Sequence, residues 1–463
     1  MTPDADLAAY ARASQRLLGL IRGERAPAAP GSGRFDRAVA RLARARSLLE
    51  YFGNPQQRYP AVHVTGTAGK GSVAAMIAAI LTAAGYRVGL RTSPYMQVAT
   101  EKLQVDSELI PAQSLDQLSL QVLAAHDRIS PESALGYAEA WVTLAFAWFA
   151  EQDIDLAVVE VGSGGRFDTT NVFDAIVSVI TSVGLDHMVS LGPTLADIAW
   201  HKAGIIKPGS TAIVGNVPSE SLHVIQGEAD RVGASILLGR SLPCDFRSAV
   251  AMTGAFQETN AAIANAAIDA LRNRGFVIPG EAVASGLANA RLPGRLERMP
   301  GAGRPVVWLD GAHNADKIAA VARESRLIAT GGRGPVVVLG VLKSKDARAI
   351  AAGVAPLASA IVATEPTVFG RLPLDADSLG AAVKAAGFGR PLHVEPDWRR
   401  AFALAEMLGR EAGSSVVATG SMYLAGQLRG RWYPDAEIVV QRTPWPVVTE
   451  AANQALPERS VAL

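Results

Sequence analysis

The chain has 463 residues, 49% of them apolar and 19% charged, a balance that suits a packed globular protein and excludes a disordered one. Its length allows about two or three domains. Lys plus Arg number 44 against 43 Asp plus Glu, so there is no general basic field to draw the chain onto nucleic acid or an anionic membrane. Cys244 is the sole cysteine, which excludes an intrachain disulfide and a cysteine-built zinc cluster and fits a reducing compartment.

Residues 1–24 read as an amphipathic helix. Early acids, and no basic segment leading into an apolar run, make this a poor signal peptide. The most apolar segments carry Glu, Asp or Gly within any window of about 18 residues, so no spanning helix is expected and the location expected is cytoplasmic. The stretch Arg25 to Arg34 is a Pro/Gly/Ser linker. "FDRAVARLARARSLLEYFG" has helical spacing and stops at Gly53. "YPAVHVTG" reads as a strand, "SVAAMIAAILTAAG" as a helix closed by Gly85, and "YRVGLRTSP" as the next strand, together one βαβ unit. The alternation continues through the helix "ALGYAEAWVTLAFAWFAEQ", the strands "IDLAVVEVG" and "AIVSVITSVG", the helix "TLADIAWHKAGI" and a strand in "KPGSTAIVGNV".

Pro/Gly punctuation in "LPGRLERMPGAGRPVVWLDGAHN" opens a second domain, which again alternates helix and strand as far as "SSVVATGSMYLAGQL". No internal repeat of about 20–50 residues is visible. The tail after Arg442 carries three prolines and reads as loosely structured. The fold expected is α/β, with two domains that each hold a largely parallel sheet.

Six loci could carry chemistry. "HVTGTAGKGSVAAM" fails the strict phosphate-loop pattern GxxxxGK[ST], because Gly71, not a hydroxyl residue, follows Lys70. Even so, Gly66, Gly69 and Gly71 lie between a strand and a helix. Glycine lets backbone N–H groups wrap a phosphate, and the helix N-terminus adds positive potential. Lys70 can neutralise phosphate oxygens, and the hydroxyls of Thr67 and Ser72 can ligate magnesium. The plain alternative is a tight turn with a solvated lysine. Glu160, in "EVGSGGRFDTTN", closes an apolar strand where sheets of this kind bind ligands, and a carboxylate there can hold Mg2+. It can equally be a simple strand-end acid.

Asp186 and His187 follow a strand, and Lys202 lies on the next helix; taken alone, these are ordinary surface or structural residues. "LDGAHN", Asp310 to Asn314, reads by itself as a turn. Arg295 could reach phosphate or serve as an interdomain surface arginine. Asn260, at the start of a helix in "FQETNAAIANAA", reads as a helix cap.

These loci occur in an order that resembles the Mur-type ATP-dependent amide ligases, and within them the folylpolyglutamate synthase/dihydrofolate synthase family. "GTAGKGS" resembles that family's GT-x-GKGS loop, and "TSPYMQVATEKLQVD" resembles TSPHL…ER-I. "EVGSGGRFDTTNVF" resembles EVGLGGRLDATN, and "LDHMVSLGPTLADIAWHKAGIIKPG" resembles LDH…LG-T…EKAGI-xKxG. "LPGRLE", "LDGAHN" and "TGSMYL" are further matches, so the likeness covers about residues 36–430.

The resemblance implies an N-terminal P-loop-type Mur ligase ATPase domain and a smaller C-terminal Rossmann-like domain. The expected bounds are 1–35 for an N-terminal extension, 36–297 for the ATP-binding central domain, 298–442 for the glutamate ligase domain and 443–463 for a tail. It implies that Gly66, Thr67, Gly69, Lys70, Gly71 and Ser72 hold ATP with Asn260, Arg295 and Asp310. Ser72, Ser93 and Glu160 would bind one Mg2+, and Glu160 and His187 a second metal. Lys202 matches a lysine that is carbamylated in the family, and His313 would lie near the phosphates and the incoming amino acid.

The implied reaction joins L-glutamate to a pterin acid through an acyl phosphate, placing the chain in folate biosynthesis and one-carbon metabolism. The chain is expected to act as a monomer on small molecules, with no nucleic acid or membrane partner. The departures are Ala68 for asparagine, Tyr95 for histidine, His201 for glutamate and Ser344 for the first acid of a DKD motif. None of them removes a phosphate or metal residue, but all leave the acid substrate open. A ligase for a non-folate acid, or a non-catalytic nucleotide-binding derivative, are the alternatives.

Overall fold

Short β-branched runs become buried strands, and the Ala/Leu-rich runs between them become the helices that cover the sheets. The computed structural model describes residues 2–21, 35–130, 132–301 and 305–448. The expected linker Arg25 to Arg34 and the end of the tail lie outside these residues.

The first sheet holds β1 Ala61–Thr65, β2 Val88–Arg91, β3 Leu103–Val105, β4 Glu108–Leu109, β5 Leu156–Glu160, β6 Val177–Ile180, β7 Thr211–Val214 and β8 Ser235–Leu238. Their order is β4-β3-β2-β5-β1-β6-β7-β8. The pairings β2–β5, β5–β1, β1–β6, β6–β7 and β7–β8 are parallel, and the two at the other edge, β2–β3 and β3–β4, are antiparallel. β1 lies between β5 and β6, so the loop after β1 opens at a point where strand order reverses, the usual crevice for a ligand.

The helix Lys70–Ala83 is apolar almost all round, because it is covered on both sides. One side packs on the sheet and the other on helices Phe256–Arg272 and Gly280–Asn289. At the closest approach, a Cβ on Gly286 would stand 2.3 Å from Ile80 Cα, so only glycine fits there.

The second sheet holds β9 Glu297–Arg298, β10 Val307–Leu309, β11 Val336–Leu339, β12 Ala360–Glu365, β13 Leu392–Asp397 and β14 Val416–Thr419, in the order β13-β12-β11-β14-β10-β9. It is parallel except at β9–β10. Two α/β units, the second smaller, are therefore observed.

The termini differ from the sequence reading. The first helix is Pro3–Leu18, shorter than expected. It is fixed to helix Ala112–Ile129 by Arg12 and Arg16, which bond Asp116 at 2.6 and 3.0 Å, and the Tyr10 hydroxyl accepts from Ala99 N. Helix Asp435–Gln441, inside the expected second domain, returns to the first: Ile438 and Val439 are buried with Ala9, Tyr10, Leu103 and Leu109. The start of the tail is docked, not loose. The Trp445 indole donates to Glu297 Oε1 at 2.9 Å, and Pro444 O accepts from Arg429 at 2.7 Å. The Arg429–Glu297 pair supplies the polar anchor that a proline-rich composition does not reveal.

Candidate active site

The site is built on the end of β1. Gly66 and Gly69 adopt φ of +156° and +81°. A Cβ on Gly66 would lie 1.8 Å from Thr181 Oγ1, and one on Gly69 would lie 2.4 Å from Asn260 Oδ1. Glycine is thus required twice, by conformation and by contact. Helix Lys70–Ala83 starts at the lysine, so its first amides point unpaired along the helix axis toward the loop. Lys70 Nζ folds back onto Gly66 O at 3.0 Å.

Residues that the sequence reading had not marked hold the loop from the end of β6. Ser182 Oγ accepts from Ala68 N at 2.9 Å, and Thr181 Oγ1 donates to Ala68 O at 2.5 Å. Thr67 is fully engaged: its amide donates to Ser182 O, and its hydroxyl bonds the Gly184 backbone on both sides, at 3.0 and 3.1 Å. Ser72 is buried on the first turn of the helix. Asn260 is not a cap. It lies in the second turn of helix Phe256–Arg272 and bears on the loop at Gly69.

Glu160 ends β5 beside this loop; a Cβ on Gly71 would be 3.5 Å from its carboxylate. It accepts from Ser93 N at 2.7 Å, and buried Arg91 donates to its backbone oxygen at 2.6 Å. Burial pushes the Glu160 carboxyl up, against the pull of Lys70, the Ser93 amide and Arg295. A divalent cation beside it would offset that cost. Among the described residues no three His, Cys, Asp or Glu side chains cluster as a metal site. One carboxylate with serine hydroxyls is nevertheless the donor set that Mg2+ uses when phosphate oxygens supply the rest.

The second domain faces the loop with a charged layer. Asp310, after β10, spends both carboxylate oxygens on backbone amides, Leu296 N and Ala312 N, each at 2.7 Å. This fixes the turn that carries Arg295, whose Nη1 bonds Gly294 O at 3.1 Å. His313 Nδ1 lies 2.8 Å from Gly311 O. A carbonyl can only accept, so Nδ1 holds the proton and Nε2 accepts from Lys317 Nζ at 3.1 Å. Burial lowers the Lys317 ammonium to about 7, with Lys70, Arg295 and Lys345 adding and Asp186 opposing. This face carries excess positive charge suited to a polyanion.

Asp186 crosses between the domains. It accepts from Asn314 Nδ2 at 2.9 Å and meets Lys345 Nζ at 3.4 Å. Burial alone would raise its carboxyl, but His187, Lys345 and Lys317 hold it well below the usual range. His187 is next to it, with its side chain about half exposed. Lys202, on helix Leu195–Ala203, is buried; desolvation, then Lys70, pushes its ammonium well below the ordinary lysine value. Burial therefore favours the uncharged amine over the ammonium at this position.

A cavity of about 2400 Å³ extends from Ser93, Gly162 and His187 between the two domains. It is well above the ~300–1,000 Å³ of a small-molecule pocket. Aromatic and basic side chains line it, among them Tyr95, Tyr137, Trp141, Arg44 and Arg399.

The structure thus brings Lys70, Glu160, Ser93, Arg295 and Asn260 around one loop, with Asp310, His313, Asp186, His187 and Lys202 beyond it. Thr181, Ser182, Lys317 and Lys345 went unnoticed in the sequence. The available signals were hydroxyls just past a strand and a lysine four residues after His313.

A nucleotide loop facing a second α/β domain across a cleft is the arrangement of Mur ligases. Profiles for the Mur ligase middle domain and the Mur ligase glutamate ligase domain match residues 64–237 and 294–422. The chain is 33% identical to a dihydrofolate synthase/folylpolyglutamate synthase of Mycobacterium tuberculosis, over 84% of this chain and 89% of that one. It is also 33% identical to a folylpolyglutamate synthase of Lacticaseibacillus casei, over 83% and 93%. A solved structure of Mycobacterium tuberculosis folylpolyglutamate synthase complexed with ADP superposes with a TM-score of 0.82 at 30% identity, covering 93% of this chain and 99% of that one. E. coli FolC in complex with DHPP and ADP gives 0.71 at 25% identity, covering 91% and 97%. The chain belongs to the folylpolyglutamate synthase/dihydrofolate synthase family of ATP-dependent ligases.

Proposed function

We propose that the chain joins L-glutamate to a pterin acid (dihydropteroate, a tetrahydrofolate or both) at the expense of ATP, in the cytoplasm and as a monomer. The observation that carries this reading is the convergence of Lys70, Glu160, Arg295 and Lys317 beside Ser93, which bonds Glu160 and lines a cavity large enough for an acid substrate and an amino acid together. The ATP-binding unit would span 36–297 and the glutamate ligase unit 298–442; the matched segments 64–237 and 294–422 support this division.

In this reading the substrate carboxylate attacks the γ-phosphorus of ATP, and the bond to the ADP oxygen breaks. Lys70, the loop amides and Arg295 offset charge on the phosphoryl oxygens. The amine of glutamate then attacks the acyl carbon, phosphate leaves, and one proton is released. His313, whose imidazole is kept neutral by burial, then Lys317 and Lys345, accepts from Lys317 Nζ through Nε2 and so positions that amine, which burial lowers to about 7 and which in its uncharged form can take the proton. Closure of the two domains would exclude water from the acyl phosphate.

Ser72, Ser93 and Glu160 fit one Mg2+, which when bound supplies charge neutralisation to the phosphates. Glu160 and His187, with Lys202 as a carbamate, would hold a second. Burial, then Lys70, shifts Lys202 toward the uncharged amine, which supports the carbamate because only an unprotonated amine adds to CO2.

Phosphate release with ATP, Mg2+ and L-glutamate tests the reading, comparing dihydropteroate, tetrahydrofolate and no acid. Release that depends on a pterin acid, with a product heavier by one glutamyl unit, is expected. ATP binding without turnover on either pterin would overturn the substrate assignment.

A further inference from the structure

Lys102 ends a short helical turn, Ala99–Lys102, just before β3. Its residue is only 5% exposed, yet it lines the large cavity together with Tyr95, Tyr137 and Trp141. Nζ stands 4.8 Å from the ring centroid of Trp141, 5.0 Å from Tyr137 and 5.9 Å from Tyr95. Among the described residues it has no hydrogen bond and no ion pair.

The adjacent Glu101 does not serve as a counterion. Its carboxylate is taken up by the amides of Met96 at 2.6 Å, Gln97 at 3.3 Å and Val98 at 3.4 Å. A structural buried lysine is normally paired. This one is solvated by ring faces alone, with its tip on a cavity. It also sits on the acid side of the phosphate site, where Glu160 and Arg91 both act on it.

A departure from the family segment lies at this point: where the resembling segment reads TSPH, this chain has Tyr95, whose ring faces Lys102 Nζ at 5.9 Å.

We propose that Lys102 and its ring set form the anchor of the acid substrate: Nζ pairs with a substrate carboxylate, and the rings of Tyr95, Tyr137 and Trp141 take the flat aryl part of the same molecule. This rests on the ligase reading above. An amine without a counterion in a low-dielectric box gains most from an anion, and aromatic walls accept a planar ring at little entropic cost. Burial, then Arg91, lowers the free amine to about 7; an arriving carboxylate draws it back to the charged form.

The test is steady-state kinetics of Lys102→Met and Lys102→Arg, with the acid substrate and ATP each varied. Lys102→Met should raise KM for the acid by about tenfold or more, with KM for ATP within about twofold. Lys102→Arg, which stays charged, should restore KM for the acid to within about threefold of the parent. An unchanged KM for the acid in Lys102→Met, or a loss confined to kcat, overturns the proposal.

A measurement on the parent protein alone covers the case in which the Met variant does not fold. The substrate's carboxamide should bind about tenfold more weakly than the acid without ATP, and equal binding overturns the proposal. Parent protein inactive on every pterin acid would instead sink the ligase reading, so the two failures are separable.

Discussion

At the scale of single residues, the site divides into what a motif marks and what only folding assembles. Lys70 and Glu160 are legible, because each sits just past an apolar strand in a glycine-rich frame. Thr181 and Ser182 are not: Ser182 holds Ala68 across a sequence separation of 114 residues, and no local pattern encodes such a partner. Lys317 and Lys345 look like surface lysines until the second domain turns them toward Asp186 and the loop. Lys70→Ala should lower kcat by about 100- to 1,000-fold, the cost of removing one preorganised electrostatic contact, with the melting temperature little changed.

Lys102 carries a pH signature. Its ammonium, lowered to about 7, is charged below that pH and neutral above it. KM for the acid should therefore rise as pH climbs through about 7, and Lys102→Arg should flatten the rise. The groups that face or adjoin Lys102 are Arg91, Glu160, Glu101, Tyr95 and Tyr137. Glu101 is itself raised to about 7 by burial, opposed by Arg429 and its amide donors. A rise that survives in the arginine variant would belong to Glu101 or Lys317 and not to Lys102.

At the scale of elements, the strands and helices that form the centre of each sheet were readable, because burial on both faces leaves an unbroken apolar run. Edge pieces were not. β3, β4 and β9 are 3, 2 and 2 residues long, too short for any periodicity. β13, "LHVEPD", alternates polar residues on a half-exposed edge and contains a proline, so its sequence reads as a loop. The nucleotide loop depends on helix Lys70–Ala83 staying where its neighbours hold it. Gly286→Val would drive a side chain into the Ile80 backbone and should cost about 1–3 kcal/mol, read as a lower denaturation midpoint at unchanged m-value. An unaltered midpoint would mean that helix Gly280–Asn289 moves away freely.

At the scale of the whole molecule, the two-domain plan was legible, but the path of the chain was not. The chain leaves the first domain near Leu292 and returns to it with helix Asp435–Gln441, a seven-residue element whose only sequence mark is a proline before it. Ending the chain at Arg431 should expose the core around Ala9, Tyr10 and Leu109. With about 1.5–3 kcal/mol for each lost aliphatic side chain, the melting temperature should fall by several degrees compared with a chain ending at residue 448. Equal melting temperatures would show that the returning helix contributes nothing.

That second crossing has a kinematic consequence. A body tethered at one point can swing in any direction, whereas a body pinned at two separated points turns only about the line that joins them. The pins here are the strand of chain near Leu292 and the one entering Asp435. Opening of the cleft then follows a single arc, like a door on two hinges. Arg295, three residues from Leu292, sweeps a short path, and residues farther from the line sweep a longer one.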